Sequence, residues 1–162
     1  MKKLLVATLL AVSANAWAQA SSTITVKDAW VRATVAQQKA TGAFMQLTAK
    51  TDTKVVSASS PVAGVVEIHE MAMEQDVMKM RAVPALDLPA GKTVELKPGG
   101  YHVMLMDLKG PVKEGDLVSL SLVLEGKDGQ RETVEVKAAA RALNAKMSKG
   151  DGHGGHGSGH KH

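Results

Sequence analysis

Two short segments carry the same pair of metal-capable side chains. His69-Glu70-Met71 and His102-Val103-Met104 both read H-x-M. In an extended strand, a spacing of two puts both side chains on one face. Every other histidine lies in the last stretch, "SKGDGHGGHGSGHKH" (148–162). Six of the nine methionines, at 71, 73, 78, 80, 104 and 106, crowd around the two H-x-M segments. A single methionine is usually core filler, and a single strand histidine is usually a surface or hydrogen-bonded group. Six thioethers beside two imidazoles are a donor set. Thioether sulfur is soft and uncharged and imidazole is borderline, which suits Cu(I) and poorly suits Mg²⁺, Ca²⁺ or Mn²⁺. Zinc more often takes cysteine, histidine or carboxylate. The chain has no cysteine. That excludes disulfides, thiolate and iron–sulfur sites, cysteine nucleophiles and the cysteine-dependent blue-copper centre. Thioethers bind without losing a proton and cannot pair into disulfides, which suits an oxidising compartment.

The elements that must position these residues read as strands. "ITVKDAWVRATV" (24–35), "TGAFMQLTA" (41–49), "TKVVSAS" (53–59), "GVVEIHEM" (64–71), "VMKMRAV" (77–83), "KTVELK" (92–97), "YHVMLMDL" (101–108), "DLVSLSLVLE" (116–125) and "RETVEVKA" (131–138) are short, β-branched or alternating runs. Between them stand turn signals such as Pro89-Ala90-Gly91, Pro98-Gly99-Gly100, Lys109-Gly110-Pro111 and Gly126-Lys127-Asp128-Gly129. This spacing predicts an all-β sandwich or barrel. One short helix is expected over 138–147, "AAARALNAKM". In 101–106, Val103 and Leu105 form the inward set, which turns His102, Met104 and Met106 away from the core. Val66 and Ile68 do the same for Glu67, His69 and Met71. The predicted donors therefore lie on the face turned to water.

His69, ten residues, Met80, twenty-one residues, His102, one residue, Met104 fits the pattern H-(M)-x10-M-x21-H-x-M. That resembles the signature of the periplasmic Cu(A) chaperones, PCu(A)C. "DAWVRAT", "ATGAFM", "SPVAGVVEIHEM", "VMKMR" and "KPGGYHVMLM" extend the resemblance over residues 27–141. It implies a cupredoxin-like Greek-key β-sandwich that binds Cu(I) through His69, Met80, His102 and Met104. Met71 takes the optional position beside the first histidine. Met73, Met78 and Met106 are left as a thioether collar or packing residues. The resemblance further implies delivery to the Cu(A) site on cytochrome c oxidase subunit II or to another periplasmic cuproprotein, alongside a Sco-type thiol protein.

The ends differ from the body in composition. "MKKLLVATLLAVSANAWAQA" has a basic start, a short apolar run and small-x-small sites, so residues 1–18 read as a secretory signal, cleaved after 18 or 20. A periplasmic protein without a membrane anchor is expected, with a domain over 21–141. Losing Lys2 and Lys3 lowers the formal charge from +4 to +2, and no basic stripe is interleaved with aromatics, so nucleic acid is not an expected partner. Residues 142–162 are expected to form a flexible tail. Its His153, His156, His160 and His162 form a Gly/His-rich tract suited to Cu(II). Catalytic signatures such as G-x-S-x-G and H-E-x-x-H do not occur, so an enzyme is not expected. A copper buffer that sequesters without directed delivery would use the same ligands. A metal-free sandwich would instead bury Met80 and Met104.

Overall fold

Leu117–Gly126 shows how most of the sheet is built: Val118, Leu120, Leu122 and Leu124 are buried, and Ser119 and Ser121 are the alternate, less buried residues. That period of two is repeated along a computed structural model that describes residues 22–142. Ten strands follow in order: β1 (Ile24–Arg32), β2 (Ala40–Ala49), β3 (Thr53–Ser59), β4 (Ala63–Glu74), β5 (Val77–Ala82), β6 (Leu86–Leu88), β7 (Thr93–Leu96), β8 (His102–Leu108), β9 (Leu117–Gly126) and β10 (Arg131–Arg141). There is no helix among the described residues.

All ten join in one hydrogen-bonded sheet, ordered β5-β4-β8-β2-β1-β10-β9-β3-β6, with β7 on β2. Every pairing is antiparallel except β1 with β10. The sheet is folded over on itself. Strands β3 and β4, far apart in that order, line one cleft through Val56–Ala58 and Val66–Ile68. A single apolar cluster draws residues from nine strands, among them Val31, Leu47, Val55, Leu88, Leu105 and Leu120. Strand β5 contributes nothing to it, and all six of its residues are exposed.

Three features differ from the sequence expectation. The residues 138–141 assigned to a helix complete β10, where Ala138 and Ala140 enter the core; residues 143–147 lie outside the described part. Leu86–Leu88 forms a strand too short to show a period, recognisable only by its pairing with β3. Strands β4 and β5 form one long hairpin, closed by Gln75 and Asp76. Both turn residues have positive φ, 50° and 63°. That is the backbone of a two-residue hairpin turn, written without the usual Asn-Gly pair.

One irregularity bears directly on the candidate site. The pairing of β1 with β2 shifts between Lys27 and Trp30. Asp28, with φ of 50°, sits in this bulge. Ile24 and Val26 face the core before it, and Ala29 and Val31 face it after. The extra residue reverses the parity, so Trp30 and Arg32 point to the opposite face.

Candidate metal centre

On that opposite face, four adjacent strands each contribute one ring. Trp30 of β1 stands opposite Phe44 of β2, with centroids 4.5 Å apart. Phe44 lies 6.3 Å from His102 of β8, and His102 lies 5.7 Å from His69 of β4, edge to face. Arg141 covers Trp30 and Arg32 covers Phe44, at 5.5 and 5.6 Å from the ring centroids. Phe44 folds over Gly42. A Cβ at Gly42 would stand 2.9 Å from the Phe44 ring, so only glycine leaves that space.

This row corrects the expectation that the histidines face water. His69 is 8% exposed and His102 6%. The strand parity was right: Ile68, Val103 and Leu105 are core residues, and the histidines face the other way. The second face is covered by its own aromatic row, so both faces of the sheet are buried here.

His69 and His102 are direct cross-strand partners. In His102, Nδ1–H donates to the Gly100 carbonyl at 3.1 Å. That tautomer leaves Nε2 as a lone pair, and Nε2 lies 3.2 Å from Met80 Sδ. Two ligand atoms sharing one tetrahedral ion would be about 3.5 Å apart, given metal–nitrogen and metal–sulfur lengths near 2.0 and 2.3 Å. The Gly100 carbonyl also accepts the Met71 amide at 3.2 Å, tying both H-x-M segments to one atom. A turn aims it: Gly100 N–H bonds the Lys97 carbonyl, with Pro98 second and Gly99 third, at φ of 85°. That is the type II arrangement, which requires glycine at the third position.

His69 is organised in the same way. Its Nε2–H donates to Glu67 Oε2 at 2.8 Å, leaving Nδ1 buried without a partner. In each imidazole one nitrogen is held by an oxygen and the other is free. Metal-binding histidines are oriented in this manner. Burial lowers the His102 pKa below the usual histidine range, helped by His69 and Arg32 and opposed by the Gly100 hydrogen bond. His102 therefore stays neutral to lower pH than an ordinary histidine would.

Met71, Met80, His102 and Met104 line one hollow of about 290 Å³, together with Arg32 and Phe44. His69 lies behind His102 and does not line it. Met80 is 48% exposed and Met104 half-buried, contrary to what a metal-free sandwich requires. No carboxylate lines the hollow, and among the described residues no three His, Asp or Glu side chains are placed to hold a metal ion together. A hard dication would find few oxygen ligands there and a guanidinium beside it; a soft monovalent ion finds thioethers and imidazole. His153, His156, His160 and His162 lie outside the described residues, as do residues 1–18, expected from sequence to be a secretory signal.

Glu67, Gly100, Phe44 and Arg32 escape a reading that looks only for ligands. Glu67 had a signal, since it stands two residues from His69 on the same strand face. Phe44 had none, because its role depends on which strands become neighbours.

Known proteins bear on this arrangement. The family described as "Putative lipoprotein LpqE-like" matches residues 24–138. A protein of Leifsonia xyli subsp. xyli, named "Putative lipoprotein Lxx21020", is 32% identical over 128 residues, 78% of this chain and 76% of its own. The copper-bound PCuAC domain from PmoF2 is 25% identical with a TM-score of 0.60, over 76% of this chain and 96% of that domain. The Cu(I) form of DR1885 from Deinococcus radiodurans is 34% identical with a TM-score of 0.56, over 78% and 83%. The fold is the cupredoxin-like all-β fold of these domains.

Proposed function

This chain belongs to the LpqE-like family and with it to the PCuAC domains, and from that premise we propose that it is an exported, non-enzymatic copper chaperone. It takes Cu(I) at His69, Met80, His102 and Met104, with Met71 in reserve. It passes the ion to the Cu(A) site of cytochrome c oxidase subunit II or to another periplasmic cuproprotein, alongside a Sco-type protein. The observation that carries this reading is the approach of His102 Nε2 to Met80 Sδ, 3.2 Å apart in a hollow without carboxylates. Export is supported by the signal-like start and by the lipoprotein names of relatives. The chain has no cysteine thiol of its own to carry a lipid.

On this reading His102 holds the ion and Met80 releases it. His102 is buried and fixed by Gly100. Met80 stands half-exposed on an edge strand that contributes nothing to the core. A recipient ligand entering at that edge meets the thioether first. Exchange proceeds as Met80 leaves while the imidazole still holds the ion. Thiolates of an acceptor then win as stronger soft ligands. In the tail, His153, His156, His160 and His162 capture Cu(II), for which imidazole without thioether is the better donor.

The test is Cu(I) titration of the mature chain, anaerobic and reduced, against a chromogenic Cu(I) chelator. The wild type holds one tight equivalent that survives removal of residues 150–162, and Met80→Ala/Met104→Ala loses it. Unchanged affinity in that double variant overturns the site. Transfer to an isolated oxidase subunit II domain separates delivery from simple sequestration.

A further inference from the structure

The β4–β5 hairpin has two unlike faces. Its register sets Met71 opposite Met80 and Met73 opposite Met78. Since residues two apart share a face, the four thioethers form a ladder on the side of the hollow that Met71 and Met80 line. The other face carries Glu70, Glu74, Lys79 and Arg81, joined by ion pairs Arg81–Glu70 at 2.6 Å, Lys79–Glu74 at 3.2 Å and Arg81–Glu74 at 3.6 Å. These four charged groups are thus engaged with each other, away from the methionines.

The outer rungs serve no packing role. Met73 is 64% exposed and Met78 45%, and neither belongs to the core. Two exposed thioethers facing each other, one rung beyond the pair that lines a candidate copper hollow, call for another explanation than filling space. We propose that Met73 and Met78, with Met71 as the shared third donor, form a second binding site for a soft monovalent cation, Cu(I) or Ag(I). Opposed strand residues have Cβ atoms about 4.5–5.5 Å apart, and methionine has three rotatable bonds. The two sulfurs converge on one ion without moving the backbone. All donors are neutral and none titrates, so the site is soft and independent of pH. With no imidazole it is weaker than the inner site. Met71 neighbours Met73 along β4 and Met80 across the pair, so an ion passes from the outer rung to the hollow without losing thioether contact. That relay role rests on the copper reading of the hollow; the outer site does not.

The experiment is a titration of the full mature chain with Ag(I), followed by the ¹³C-methyl signals of its methionines. The methyl readout is blind to ions held by tail histidines. The first equivalent should shift Met80 and Met104, and the second Met73 and Met78. In Met73→Leu/Met78→Leu the shifts at Met80 and Met104 persist, and the Met71 signal stops responding to the second equivalent. Met73 and Met78 signals that stay still through excess Ag(I) overturn the proposal. Movement of Met73 and Met78 with Met80 and Met104 unmoved upholds the outer site and overturns the inner one. Under reducing conditions with Cu(I), the double variant should also load the inner site more slowly at unchanged final occupancy; an unchanged loading rate overturns the relay.

Discussion

Two hairpins of this protein are built on opposite terms. In β9–β10, nine consecutive residue pairs run from Arg131↔Glu125 to Ala139↔Leu117. One face is mostly core: Val118, Leu120 and Leu122 stand opposite Ala138, Val136 and the partly buried Val134, and only Leu124 faces a charged residue, Glu132. In β4–β5, six pairs run from His69↔Ala82 to Glu74↔Val77, and no β5 residue is buried. The first hairpin holds the fold, and its outer face carries polar pairs such as Ser121–Glu135 and Arg131–Glu125. The second adds little to the fold, and its methionine face carries His69, Met71 and Met80, three of the proposed donors. A cargo site of that kind could be opened by a partner without exposing the core.

The sharpest way to break this comparison is to shorten one side chain in each hairpin. Leu122 is 1% exposed, and Leu122→Ala should cost about 2–5 kcal/mol through lost burial and the cavity left behind. Met78 is 45% exposed, and Met78→Ala should stay within about 0.5 kcal/mol of wild type. Urea unfolding of the copper-free protein measures both. Equal losses would mean that the β4–β5 hairpin is structural after all.

The next effect reaches the donors through a neighbour. Glu67 holds Nε2 of His69 and thereby leaves Nδ1 free. Removing such a partner typically weakens metal affinity about 10–100-fold. Glu67→Ala should do so for Cu(I) in the chelator competition, and should cost about 1–3 kcal/mol in urea unfolding because the buried His69 Nε2–H loses its acceptor. An unchanged Cu(I) affinity would place His69 outside the site, in keeping with its position behind His102.

The contrast between the hairpins also sets what the sequence could reveal. Where one face is core and the other wet, alternation is legible: Val118 to Leu124 shows it residue by residue. The same parity placed His69 and His102 away from the core. It could not show that this second face is covered too, because the cover comes from Trp30 and Phe44 on β1 and β2. Strand β2 becomes a neighbour of β8 only through long-range pairing, and it brings β1 with it. The bulge at Asp28 that turns Trp30 toward the site leaves no apolar signature, and Gln75-Asp76 closes a hairpin without the glycine that marks most such turns. Ligand spacing in strands survives as a sequence pattern; the shell around the ligands is a product of topology.

The smallest effect lies in the pH response of the copper-free protein. His102 has its pKa lowered, first by burial and then by His69 and Arg32. In the unfolded chain it returns to about 6.5. Above that value both states are neutral at this group and it contributes no penalty. As pH falls through 6.5 the unfolded chain takes up a proton that the folded protein resists, so stability declines. The decline ends once pH passes the folded value and both states are protonated. Asp52 and Glu125, whose pKa values are lowered by hydrogen bonds and nearby lysine or arginine, keep their contribution over this window and lose it only as pH falls from the usual carboxylate range toward their lowered folded values. Urea midpoints between pH 7.5 and 5.5 should therefore fall in wild type and fall less in His102→Gln. Identical slopes in the two proteins would show that the Gly100 hydrogen bond compensates the burial of His102, and the imidazole would then compete with protons at the ordinary value.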